Sequence, residues 1–160
     1  MSVPVGRRRR AIRTPVAGLL LSAVLTGCAG ILQSPPVPNP APFPEIVGQL
    51  GRFGVTALNW TSGDPGCDDP SLSPTAIRFE AQGLDQVAPV QLRIYIFRSR
   101  EAWKRRKADV ETCASELAVD PATFELLDVS PYMLAGQGPW PPGFKGALRQ
   151  ALTEAAGDGG

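Results

Sequence analysis

The 160-residue chain contains no histidine. That absence removes the commonest general base, the Ser–His and Cys–His nucleophile pairs, and every histidine-ligated metal site. Chemistry must then come from three cysteines, 15 carboxylates or the cationic runs. The acids cluster once, as Asp64, Asp68 and Asp69 around Cys67 in GDPGCDDP. Three carboxylates attract calcium, but this spacing lacks the alternation of a calcium loop and has no closing glutamate. Aspartates beside glycine and proline are ordinary turn formers. No catalytic residue, metal or cofactor is predicted, and nothing in the sequence brings two carboxylates together for acid–base work.

Two further stretches are candidate contacts. Arg98, Arg100, Lys104, Arg105, Arg106 and Lys107 put six positive groups into ten residues, a candidate anion contact. On a helix, residues 104–107 point all the way around it, and Glu101, Asp109 and Glu111 sit close enough to offset them. Gly136, Gln137, Gly138 and Trp140 form a candidate ligand site just before a helix start. Glycine admits close backbone approach, a helix N-terminus attracts anions, and an indole offers a stacking face. Pro141 and Pro142 remove two donors from such a cradle, and neither a Walker pattern nor a helix-opening GxGxxG is present. The competing reading is a rigid turn in which Trp140 and Phe144 cap the core.

The N-terminus carries Arg7, Arg8, Arg9, Arg10 and Arg13, then an apolar stretch from Val16 to Val24, then Leu25-Thr26-Gly27-Cys28. The apolar run is about 12 residues, against about 20 for a spanning helix. A cleaved signal therefore explains it better, and five arginines beside a buried helix would serve no packing purpose. With Leu25 at −3, Gly27 at −1 and a cysteine following, residues 7–28 resemble the lipobox signal of bacterial lipoproteins. The resemblance implies cleavage after Gly27, fatty chains such as palmitate on Cys28, and a lipid anchor on the extracytoplasmic face of a bacterial cell membrane. The arginine run with Ile12 also invites a twin-arginine route, against which Arg13 stands; both routes deliver to the same side.

Two consequences follow from that resemblance. Loss of residues 1–27 leaves 133 residues with 11 basic and 15 acidic side chains, a formal charge of −4. A mildly acidic body argues against general nucleic-acid binding. It also leaves Cys67 and Cys113 as an even pair in an oxidising compartment, which predicts a disulfide. Two separate thiols are the alternative.

The elements that must position these residues begin after a tether. Residues 28–45 hold Pro35, Pro36, Pro38, Pro40, Pro42 and Pro44. Proline fixes φ and donates no N–H, so an extended spacer is predicted, with a reach of roughly 50 Å at most. A single domain is expected over 46–157, with 158–160 fraying. Alternation predicts strands at 55–60, 75–81 and 90–97, the last two forming a hairpin. Ser99 is a suitable N-cap for a helix over 100–118, whose inner face would carry Cys113. A strand at 124–129, a Pro/Gly-rich connection over 130–143 and a helix over 142–156 complete the chain. The fold class is α+β: a small, mainly antiparallel sheet in the order β-β-β-α-β-α, both helices packed on one face.

The function expected is that of a membrane-anchored lipoprotein of the cell envelope. Its non-catalytic domain would bind a protein or small-molecule ligand. The alternative is an envelope-associated accessory protein touching anionic lipid or wall polymer through the basic helix 98–107. A histidine-free hydrolase working through two carboxylates is a third reading.

Overall fold

The computed structural model describes residues 41–157. The signal, Cys28, most of the tether and the 158–160 tail lie outside the described residues. In chain order the elements are α1 (Phe43–Arg52), β1 (Thr56–Ser62), a 3₁₀ turn (Ser73–Thr75), β2 (Ala76–Gly83), β3 (Gln86–Ile96), α2 (Arg100–Glu116), β4 (Phe124–Val129), β5 (Tyr132–Gln137) and α3 (Pro142–Ala156). The class is α+β, with a five-stranded antiparallel sheet in spatial order β1-β2-β3-β5-β4.

The alternating stretches form the expected hairpin, with Ile77 opposite Ile94 and Phe79 opposite Leu92. Three features depart from the sequence reading. The first is α1, which begins inside the segment assigned to the tether, so the domain starts at Phe43 rather than Ile46. Prolines are tolerated in a first helical turn because their missing N–H would have had no partner there. Phe43, Ile46 and Leu50 line one buried face. The second is β5, which occupies the connection predicted over 130–143. Tyr132 to Gly136 are all buried, so its two faces are both apolar and no alternation marks it.

The third is the placement of the helices. Successive strand residues point to opposite faces, and here both faces are covered. Phe79, Leu92, Ile94 and Leu134 pack with Ile46 and Leu50 of α1 and Phe144, Leu148 and Leu152 of α3. Ala76, Tyr95 and Met133 pack with Val110 and Cys113 of α2 and with Leu72. The helices therefore flank the sheet rather than share a face. The predicted single-face packing fails because Ile94 and Tyr95, and Met133 and Leu134, are both fully buried neighbours. One apolar layer cannot cover both.

The antiparallel order sets one end of the molecule apart. β3 and β4 run toward it, β2 and β5 start from it, α2 begins there and α3 finishes there. The chain enters the domain at this end too. The Tyr132 hydroxyl donates to the Ala155 carbonyl at 3.0 Å and lies 3.3 Å from that of Ala41. At the opposite end, α3 has no side-chain cap of its own. Asp85, in the turn between β2 and β3, accepts hydrogen bonds from Gly143 N (2.9 Å) and Phe144 N (2.7 Å). Gly143 makes room for it: a Cβ there would lie 2.9 Å from an Asp85 oxygen.

Burial pushes the Asp85 carboxyl up, but these N–H donors and its own backbone outweigh that and hold it below the usual value. A carboxyl depressed in the folded state stabilises the fold above its unfolded pKa and loses that contribution as pH falls through the folded value. Asp85→Asn is expected to lower the thermal midpoint at pH 7, with the gap to the native chain closing as the pH drops below about 4. Melting curves across that range check both the sign and the window.

Candidate functional site

The segment between β1 and the 3₁₀ turn is held against α2 and the sheet by four kinds of contact. The sulfurs of Cys67 and Cys113 lie at disulfide distance, with Cα atoms 5.2 Å apart, inside the usual range for a bridge. This joins the loop after β1 to the helix after β3, as the sequence predicts. The Tyr95 hydroxyl donates to the Pro65 carbonyl at 2.7 Å, and burial raises its pKa to about 12, so it remains a donor. Asp64 pairs with Arg78 at 3.3 Å and with Arg93 at 3.5 Å. Asp69 accepts from the Ser71 hydroxyl and backbone N–H, which, with Arg106 at 3.3 Å, hold its carboxyl below the usual value. Asp64 and Asp69 are thus occupied with internal partners, while Asp68 is exposed. Among the described residues no group of three or more Cys, Asp or Glu side chains is placed to hold a metal ion.

The same ion pairs divide the basic run. Arg106 pairs with Asp109 at 2.9 Å as well as with Asp69. Lys107 pairs with Asp128 and, at 3.8 Å, with Glu111, and its ammonium sits 5.3 Å from the Trp103 ring centre. The hydrogen bond that Lys107 donates to the Asp128 carboxylate raises the Lys107 pKa. Arg98, Arg100, Lys104 and Arg105 have no acidic partner within ion-pair distance among the described residues. The six cations therefore do not act as a unit: two bind the helix to its surroundings, and of the other four Arg98, Lys104 and Arg105 are exposed while Arg100 is half-buried.

The candidate ligand stretch is turned inward. Trp140 is 5% exposed, its N–H donates to the Gln137 carbonyl at 3.1 Å, and its ring meets Phe144 edge to face at 6.3 Å. Its stacking face is buried and not open to a ligand. The Gln137 side chain closes the loop between α2 and β4, accepting from Val119 and Asp120 N and donating to Asp120 O and Thr123 Oγ1. Gly136 and Gly138 are small because backbone passes close by. A Cβ on either would fall 2.7 Å from Gln91 O or 2.6 Å from Thr123 O. The arrangement is the rigid turn with Trp140 and Phe144 in the core.

A concave feature that sequence reasoning missed lies at the tether end, on the α2 side of the sheet. A groove of about 310 Å³ runs between the 3₁₀ turn and the first turns of α2. Leu72, Pro74, Phe97 and Ala102 give it an apolar lining, and Arg98 and Arg106 stand over it. Ser99 positions the α2 wall: it is extended, and its hydroxyl accepts from Ala102 N at 3.2 Å. The one available signal was Leu72 and Pro74, apolar residues in a stretch otherwise composed of turn formers.

Comparison with protein-family models, with curated proteins and with solved structures finds no match for this chain.

Two outcomes follow from this geometry. Trp140→Ala is expected to cost about 3–5 kcal/mol in chemical denaturation, the range for emptying an aromatic core position. Replacing Cys67 and Cys113 together by alanine is expected to cost about 4 kcal/mol on the chain-entropy model for a separation of 46 residues. Reducing agent should reproduce that loss in the native chain and have no effect on the double variant.

Proposed function

We propose that this chain is a lipoprotein anchored through Cys28 to the extracytoplasmic face of a bacterial cell membrane, its proline-rich tether carrying a non-catalytic binding domain. The observation that carries the reading is the cysteine arrangement. Cys67 and Cys113 are held at disulfide distance between a loop and a helix. That use of both domain cysteines fits an oxidising compartment and leaves Cys28, in its lipobox setting, as the acyl acceptor. The chain's lack of histidine supports a binding rather than a catalytic role. Among the described residues no helix is long and apolar enough to cross a membrane. An accessory role through the basic helix would rest on Arg98, Arg100, Lys104 and Arg105 alone, since Arg106 and Lys107 are engaged within the domain.

Expression in a bacterial host with a labelled fatty acid tests the anchor. The mature protein is expected to begin at Cys28, carry the label and sediment with membranes. Cys28→Ala should lose the label. A full-length, unlabelled product in the cytosol would reject the reading.

A further inference from the structure

From the groove beside α2 we infer a binding site for small monoanionic amphiphiles, molecules with one acidic group on an apolar body of about a dozen heavy atoms. The inference rests on the binding-domain reading above and names the ligand class of that domain.

The size comes first. A volume of about 310 Å³ lies at the lower edge of the range for small-molecule pockets. Its lining supplies what an apolar body needs: Leu72 and Pro74 on one wall, Ala102 on the other, Phe97 at the base. Leu72 and Phe97 are 0% and 3% exposed, so both belong to the packed α2 layer and do not have to be organised by the ligand. The walls are fixed as well. The 3₁₀ turn is closed by the Thr75 N–H and hydroxyl, both donating to Leu72 O (2.9 and 2.7 Å), and the first turn of α2 is capped by Ser99. A preformed cleft loses little entropy on binding.

Charge selects the sign of the ligand. Arg106 is locked in place by Asp69, Asp109 and the Ser71 hydroxyl, and much of its charge is spent there. Arg98 is exposed and has no acidic partner among the described residues. The groove therefore offers an apolar bed with one uncommitted guanidinium at its mouth, which matches one carboxylate or sulfonate. A cationic amphiphile would meet two arginines, and a neutral one would gain no ion pair with Arg98.

The test uses the mature, acylated chain in nanodiscs, with empty nanodiscs as the blank. The probes are 4-phenylbutyrate and its neutral amide, followed by ligand-observed NMR. The native chain is expected to bind the anion about fivefold more tightly than the amide, the size of a well-placed but partly solvated ion pair. Arg98→Gln should bring the two probes level, while Arg149→Gln, on the exposed side of α3, should change neither. Ala102→Trp should block both probes, with Ala102→Leu as a smaller filler should the larger one fail to fold. Equal binding of anion and amide, unaltered binding after filling the groove, or no binding at all would overturn the inference. Intact mass of the same sample keeps the two proposals apart. An unacylated chain that still prefers the anion removes the anchor and leaves the groove, whereas an acylated chain that binds neither probe removes only the groove.

Discussion

Burial of β5 on both faces is the constraint on which the rest of the structure depends. A strand whose neighbours Met133 and Leu134 are both removed from water cannot sit in a sheet with a solvated side. Two covering layers are required, and the chain supplies them unequally. On one face, α1 and α3 pack against each other and against the sheet with large apolar residues. On the other, α2 contributes chiefly Val110, Cys113 and Ala114, a narrow stripe for a helix of 17 residues. The loop before β2 completes that layer, bringing Leu72 into the core and Cys67 to Cys113.

This inequality explains where the polar side chains go. The thin layer is held by directed contacts more than by apolar area: the sulfur pair, Tyr95 on Pro65, Asp64 on two arginines, and Lys107 on Asp128. Partly exposed ion pairs of this kind contribute little individually. Together they fix the loop's position rather than supply the bulk of the stability. The groove lies at the margin of this layer, where the loop and the helix separate. Its apolar walls are core residues continued to the surface, and Arg98 beside it takes no part in the ion pairs that hold the layer.

Much of this was legible in the residues. Alternation located β2 and β3, Ser99 marked the start of α2, and β4 and α3 begin and end where sequence places them, at 124–129 and 142–156. What escaped did so for identifiable reasons. Six prolines before Ile46 hid a helix because only those past its first turn would have broken it. YMLAGQ hid a strand because two-sided burial erases the period-two pattern. The helix placement depended on counting both faces of β5, which was not recognised as a strand. Asp85 reaches an α3 N-terminus 58 residues away, and no local pattern announces such a cap. The inward role of Trp140 is visible only once Gln91, Thr123 and Phe144 converge on its turn. The groove needed Leu72 and Ala102, 30 residues apart, to face each other.

The shared end at Tyr132 has a structural consequence. The chain enters at Ala41 and turns at once into α1, whose axis leads away from that end along the face it shares with α3. The Tyr132 hydroxyl touches both the carbonyl that precedes α1 and one in the last turn of α3, so freeing the start of that helical layer also costs a contact at its finish.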